Sequence, residues 1–401
     1  MTATPSTISP TSSKHGWSRS GARWPARASA GFSLIELMVA MLIGLLVVGV
    51  LIDLFISNRR AYQVQSDNNF LQENLRIASD QLAWSLRMAD FWGGLASNSV
   101  NTGSAASAVT GVGLCTGNWA TALNTSISGG GGVYGYSGGS AFPLGSNCLS
   151  SSANYLPGSD VLVMRYADSQ VLSPGPAGTN TPAVAATIAQ HPSQLFVLTV
   201  PGTSTQLFQG GSVPADSTGG VMHRYAYAYH LDVYYLRPCS VPDASGNCSA
   251  SSDNGTPLPT LMHMHLASDG TLISEPVVDG IEQLKFEYGV ITDSSANVLT
   301  YETASDVTTA NLWPQVISVR ISIVAVNPTR DVTIPHTNSF TLGTTSSPCS
   351  YTINAGTAPT ISNCPNFTPY GGSLPWQFVR SSQQLVIQMR NRYLNLVQAG
   401  G

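Results

Sequence analysis

The chain has 401 residues, of which only 9% are charged, and its formal net charge is −4. That charged share is low against the roughly 25% of ordinary soluble domains. The mildly acidic balance argues against nucleic-acid binding through bulk electrostatics. The charge is also uneven, because residues 1–31 contain basic residues and no acidic one.

The first residues form a leader in front of an apolar run. Residues 1–30 are rich in serine, threonine, proline and alanine, a composition that does not fold. From Leu37 to Ile52 the chain carries no charge, and an apolar span of about 20 residues can cross a bilayer. The basic flank predicts that this end stays in the cytoplasm. A secretory signal has its small-residue cleavage site after the apolar run, whereas here Gly31 precedes it.

The segment from Gly31 to Ala40, GFSLIELMVA, resembles the class III prepilin signal of type IV pilins and type II secretion pseudopilins. The resemblance implies that a prepilin peptidase cleaves between Gly31 and Phe32 and methylates the new Phe32 amine. It also implies that Glu36 pairs with the Phe32 amine of a neighbouring subunit and fixes axial register. A carboxylate in a membrane-spanning helix is costly and usually functional. The alternative is that Glu36 merely lies at the level of the lipid headgroups.

The pattern becomes amphipathic after the apolar run. Apolar residues recur every three or four positions across residues 70–86, which is helical spacing. No proline occurs between Phe32 and Trp92. The sequence therefore predicts one helix from Phe32 to about Asp90, ended by the glycine pair at 93–94.

The rest of the chain divides into a glycine-rich segment and a β-rich head. Residues 93–158 are rich in glycine, serine and asparagine, and predict an irregular, surface-exposed insertion with few strands. Residues 159–401 contain runs of β-branched and aromatic residues separated by turn residues, which predict mainly antiparallel strands. The predicted strands are Asp160–Tyr166, Gln194–Val200, Arg224–Leu236, Leu261–Leu266, Ile281–Tyr288, Val316–Val326 and Leu385–Met389.

The predicted fold class is α+β and type IV pilin-like. A cleaved leader, residues 1–31, precedes a long helix whose apolar half, residues 32–56, serves the membrane or the filament core. The amphipathic half, residues 57–92, packs on a mainly antiparallel sheet head with long loops.

Four further runs resemble the PilW-like group of minor pilins. They are Leu86–Gly93, Val278–Gly289, Val316–Ile323 and Val386–Arg392. The resemblance covers the N-terminal part of the chain and patches of its C-terminal part, and leaves the middle uncovered.

The six cysteines fall into three neighbouring pairs. An even count in an exported chain indicates disulfides, although the sequence alone does not fix their connectivity. We favour sequential pairing because each pair brackets a loop rich in glycine, serine or asparagine. The alternative is buried free thiols in a cytosolic protein. The favoured pairs are Cys115–Cys148, Cys239–Cys248 and Cys349–Cys364.

Two patterns suggest chemistry only weakly. Residues 135–139 match the G-x-S-x-G nucleophile pattern, but they lie in a glycine-rich loop without the required strand and helix. His263 and His265 fall on one face of a predicted strand, yet no third metal ligand stands out. The sequence therefore predicts no catalytic residue, no cofactor and no metal site.

The resemblance implies a non-catalytic minor pilin that takes part in assembly of type IV pili, in a priming or tip complex. The implied partners are other minor and major pilins, prepilin peptidase, the inner-membrane assembly platform and membrane lipid; nothing points to nucleic acid. The protein would be anchored in the inner membrane, with a periplasmic head, before it enters the pilus. Two alternatives stay open: a type II secretion pseudopilin, and a membrane-anchored adhesin or enzyme that never enters a filament.

Overall fold

The structure is a computed structural model, and the chain forms two compact parts, residues 1–62 and 63–401. Residues 1–30 of the predicted leader, and Cys115, lie outside the residues that the structure describes. The described residues are 31–95, 100–101, 123, 131–172, 188–214, 224–293, 298–331, 336–345, 348–357, 359–364 and 375–392.

The long helix, α1, runs from Leu34 to Met88 over 55 residues. It ends slightly before the predicted position because Asp90 adopts a left-handed backbone conformation, with φ of 66°. The side-chain amide of Asn391 donates to the carbonyl oxygen of Ala89 over 3.1 Å. This contact supplies a partner for the last helical turn, whose carbonyl groups have none within the helix.

The elements described after α1 include fifteen strands and a second short helix, α2, at Ala304–Thr309. The first sheet consists of β1 Val100–Asn101, β2 Val133–Tyr136, β3 Val161–Val171, β4 Leu195–Val200, β5 Ser204–Gln209, β6 Tyr225–Arg237, β7 Thr260–Leu266 and β8 Leu272–Asp279. The second consists of β9 Ile281–Asp293, β10 Val298–Glu302, β11 Val316–Arg330 and β15 Phe378–Gln388, in the order β10-β9-β11-β15. The third consists of β12 Asn338–Leu342, β13 Cys349–Ile353 and β14 Thr360–Ser362.

The predicted α+β class and antiparallel sheets are confirmed. Each of the seven predicted strands is present, and most are longer than predicted. Among the described strand pairs, only β1 with β5 is parallel.

The second half of α1 packs on both large sheets. Its buried residues share one core with Met164 and Tyr234 of the first sheet and with Phe286 and Ile321 of the second. Full burial of one large aliphatic side chain contributes about 1.5–3 kcal/mol to stability. The apolar stripe seen in the sequence therefore holds this part of the helix on the sheets. Its members are Leu71, Leu75, Ala78, Leu82 and Leu86.

The described residues of the predicted insertion, 93–158, include several that are buried and not surface-exposed. Leu123, Phe142 and Tyr155 are buried, and they share a second apolar core with Val163 of β3. Neighbouring positions of β3 contribute to the core around α1, so this segment covers the opposite face of the first sheet. The sequence did not indicate this burial because the few apolar residues of the segment are scattered among glycine and serine and show no periodicity.

Two of the three favoured cysteine pairs are disulfides in the structure. Cys239 and Cys248 have Cα atoms 5.5 Å apart, and their disulfide ties the connection between β6 and β7. Cys349 and Cys364 have Cα atoms 4.9 Å apart and join the start of β13 to the segment after β14. Cys148 is also disulfide-bonded, and its predicted partner lies outside the described residues. Among the described cysteines none is a free thiol.

Candidate functional site: the N-terminal helix and its contacts with the C-terminal strands

The N-terminal half of α1 exposes a continuous apolar surface. Phe32 is 83% exposed and Leu45 76% exposed, and no residue from 31 to 66 is buried. The helix is long and apolar enough to cross a membrane by length and composition. An exposed apolar surface of this size is characteristic of a lipid-facing or protein-facing segment.

Glu36 lies in the first turn of α1 and forms a reciprocal cap with Ser33. The backbone N–H of Glu36 donates to Ser33 Oγ over 3.3 Å, and the N–H of Ser33 donates to Glu36 Oε2 over 3.4 Å. This is the capping-box arrangement, in which two unpaired backbone N–H groups at a helix start are satisfied together. The S-x-x-E pattern is visible in the sequence, but our sequence analysis considered Glu36 alone and missed Ser33.

The cap leaves part of the Glu36 carboxylate available. Among the residues that the structure describes, Oε1 of Glu36 makes no hydrogen bond, while Oε2 accepts from Ser33. Gly31 and Phe32 are exposed and precede the helix, so the predicted new N-terminus, Phe32, is four residues before Glu36 in the chain. A carboxylate oxygen in apolar surroundings is stabilised by a cation, and an N-terminal amine has the appropriate charge and hydrogen-bond donors.

The end of α1 contacts the end of β15. The Asn391 side chain contacts carbonyl oxygens of the last helical residues, and Arg392 Nε donates to Asp90 Oδ2 over 2.8 Å. Trp92 Nε1 donates to the other oxygen of Asp90 over 2.9 Å. Two of the runs singled out in the sequence, Leu86–Gly93 and Val386–Arg392, are therefore brought together although about 300 residues separate them.

The other two runs form the centre of the second sheet. β9 and β15 flank β11, with Ile321 of β11 paired to Phe286 on one side and to Leu385 on the other. A fully buried ion pair joins the flanking strands, with Arg380 Nε 2.5 Å from Glu282 Oε2. The four runs thus form one connected body: the helix end and three adjacent strands.

Comparison with known protein families gives two matches. Residues 26–52 match the prokaryotic N-terminal methylation motif. Residues 248–391 match the type IV pilus-assembly protein W family, PilW. Together the two matches support a PilW-like type IV minor pilin. No curated protein and no solved structure matches it.

The match to PilW covers the C-terminal strands of the chain. The matched range begins in the connection between β6 and β7 and ends at Asn391, so it includes the second and third sheets. The methylation-motif match includes Gly31, Phe32 and Glu36. Glycine-rich residues 93–158 belong to neither match, although part of that segment is in the core of the head.

The remaining sequence patterns take ordinary structural positions in the chain. Ser137, from the G-x-S-x-G pattern, follows the edge strand β2, and its Oγ accepts a hydrogen bond from the N–H of Ser305. His263 lies 2.9 Å from Asp232, measured Nε2 to Oδ1, and stacks on the ring of His265. Within the described part of the chain no group of three or more histidine, cysteine, aspartate or glutamate side chains could hold a metal ion.

Proposed function

We propose that this pilin is a non-catalytic subunit that takes part in the assembly of type IV pili, within a priming or tip complex. Before incorporation the apolar half of α1 anchors it in the inner membrane with its head in the periplasm. The observation that carries the proposal is the exposed apolar helix led by Gly31, Phe32 and Glu36. A simple membrane anchor needs neither a glycine cleavage site nor a carboxylate at the start of its span.

The proposed processing follows from the order of these residues. Prepilin peptidase cleaves after Gly31, which leaves the whole apolar helix on the mature chain with Phe32 as its methylated first residue. The new amine of one subunit then pairs with Glu36 of another. Among apolar helices this pair is weakly screened, so it favours one axial position over its neighbours.

The match to PilW over residues 248–391 supports pilus assembly over the type II secretion alternative, which shares only the N-terminal signal and helix. The partners that follow are other minor pilins, the major pilin, the peptidase and the inner-membrane platform. A head that neither binds nor transforms a small molecule is sufficient for this role.

The experiment replaces Glu36 by alanine, with Asp53→Ala as the matched control. Both changes remove an acid from the same exposed helix, but only Glu36 stands at its first turn. We expect Glu36→Ala to insert in the membrane, to be cleaved, and to reduce pilus number and co-purified pilins at least tenfold. Asp53→Ala should keep pilus number and the amount of co-purified pilins within about twofold of the wild-type values, since a residue outside the pair of Glu36 and the amine contributes little.

The outcome that would remove this role from Glu36 is normal piliation of the Glu36→Ala strain. The measurement counts only in a strain where deletion of the chain abolishes piliation. Membrane abundance of each variant, measured by immunoblot, separates failed assembly from failed insertion.

A further inference from the structure

The long outer strand β15 leaves one of its two edges open. It pairs with β11 without a register shift from Arg380 to Gln388, and it is the last strand of its sheet. Among the described residues, no backbone group outside β11 bonds to the backbone of Ser381–Gln388. Half of the N–H and C=O groups of an outer strand point away from its single neighbour, and such a row is a template for another strand.

The edge of β15 lacks the features that normally block strand addition. Charged side chains, prolines, bulges and short length protect sheet edges in natural proteins. β8 carries Glu275 and Pro276, and β10 is short with a register shift at its start. β15 contains one charged residue, Arg380, whose side chain is fully buried against Glu282. Its exposed part is neutral, with the sequence Ser-Ser-Gln-Gln-Leu-Val.

A groove of about 360 Å³ lies between this edge and α1. Ser381, Ser382 and Gln383 form its strand side. Ser79 lines this groove from the helix and is 6% exposed, and its enclosed hydroxyl has no hydrogen-bond partner among the described residues. A buried hydroxyl without a partner is unfavourable, because water is lost and no bond replaces it. Arg76 at the groove's rim is already paired with Glu73 and Asp80.

We propose that the groove and the open edge of β15 receive an extended segment of another pilin, which adds a strand to the second sheet. Strand addition supplies partners for the outward backbone groups, and alternate side chains of the added strand enter the groove. The groove selects a neutral or basic residue with a hydroxyl or amide, which bonds the exposed Gln383 beside the net negative Glu73–Arg76–Asp80 cluster. The identity of the partner rests on the proposed function.

The first test measures hydrogen–deuterium exchange of the full-length chain in detergent, alone and in complex with the pilins that co-purify from piliated cells. Peptides covering Ser381–Gln388 should contain fast-exchanging amides in the isolated chain. We expect those amides to exchange at least tenfold more slowly in the complex. Peptides covering β12, which also lies at a sheet edge, serve as the internal control and should not change.

The second test places a charge on the open edge. Gln383→Lys should reduce co-purified pilin at least tenfold, because a strand added to β15 would bury that ammonium group. Thr341→Lys, an exposed substitution on β12, is the matched control and should change the amount of co-purified pilin less than twofold. Unchanged thermal unfolding of both variants shows that their heads are folded.

The results separate this inference from the proposed function. Pilins that co-purify with the wild-type chain, while β15 exchange stays fast and Gln383→Lys retains them, would overturn strand addition and leave the pilin role intact. Slow exchange of β15 in a dimer of this chain without any other pilin would overturn the stated partner. Failure of any pilin to co-purify with the wild-type chain would overturn both.

Discussion

Arg392 and Asp90 form a buried ion pair, with Nε 2.8 Å from Oδ2 and both side chains at most 4% exposed. Asp90 follows the last turn of α1, and Arg392 follows β15. The pair therefore fixes the end of the outer strand of the second sheet to the end of the long helix. Removal of one partner leaves the other charge buried and uncompensated, which is more costly than loss of an exposed pair.

We expect Arg392→Met to lower the free energy of unfolding by about 3–5 kcal/mol, since it leaves the buried carboxyl group of Asp90 without its cation. Arg390→Met is the matched control, because Arg390 is exposed and two positions away. Urea unfolding of the full-length chain in detergent measures the free energy of unfolding of both variants. Adding Asp90→Asn to Arg392→Met should recover part of the loss, and asparagine tolerates the left-handed backbone of that position. Equal effects of the two arginine variants would contradict the role of the ion pair.

Processing provides a direct test at the N-terminus. The mature chain should begin with N-methylated Phe32, because Gly31 precedes an apolar helix that must stay on the protein to anchor it. N-terminal mass spectrometry of the chain from membranes measures this. A mature chain that begins after Ile56 would show an ordinary secretory signal and would refute the pilin-type processing.

Loss of the Ser33 hydroxyl should reduce pilus number, but less than loss of the Glu36 carboxylate does. Ser33→Ala removes the hydroxyl that accepts from the Glu36 N–H, and loss of such a cap costs about 1 kcal/mol. We expect normal cleavage and a severalfold reduction in pilus number, smaller than that of Glu36→Ala. Ser33→Thr keeps the hydroxyl and should restore assembly. A defect in Ser33→Thr as large as in Ser33→Ala would show that the cap is not the cause.

Non-reducing peptide mapping of the exported chain should recover all three sequential pairs, Cys115–Cys148, Cys239–Cys248 and Cys349–Cys364. Each closes a short loop, so each stabilises mainly by constraining the unfolded chain, by about 3 kcal/mol for a loop of 15 residues. Recovery of any crossed peptide pair, such as one joining the second and third loops, would disprove the sequential pairing.

The parts of this fold that sequence analysis predicted correctly are those with strong local periodicity. The stripe from Leu71 to Leu86 and the β-branched runs of β9 and β11 are buried patterns that need no long-range information. The strands β12, β13 and β14 were missed because serine and threonine dominate them, and β8 because Glu275 and Pro276 interrupt it.

The contacts that connect the elements could not be predicted in this way. Glu282 and Arg380 are 98 residues apart and read as ordinary charged positions in the sequence, yet both side chains are fully buried. The open edge of β15 depends on which strands are its neighbours, and strand order is not a local property of the sequence. Ser79 reads as a polar residue on an amphipathic helix, and only the structure shows that its hydroxyl is enclosed.

Acid should destabilise the disulfide-bonded connection between β6 and β7 through Asp253. Burial of this carboxyl group raises its pKa, but the side-chain hydrogen bond from Ser240 and the backbone N–H groups of Leu258, Ser240 and Val241 outweigh burial, and the pKa lies below its usual value. A lowered pKa in the folded state means that the carboxylate stabilises the fold at pH above about 4. This contribution is lost as pH falls through the folded-state pKa.

Asp253→Asn removes the charge without straining the backbone, because asparagine adopts the left-handed conformation that Asp253 shows, with φ of 51°. We expect the variant to be less stable than the wild-type chain at pH 7 and to lose less stability as the pH falls below about 4. Glu275→Gln, an exposed substitution on β8, is the control and should leave the pH dependence as it is. Urea unfolding at a series of pH values measures all three proteins. Parallel curves of unfolding free energy against pH for the wild-type chain and Asp253→Asn would mean that Asp253 does not contribute to acid sensitivity. Removal of a carboxylate that stabilises the folded state must change the slope of that curve.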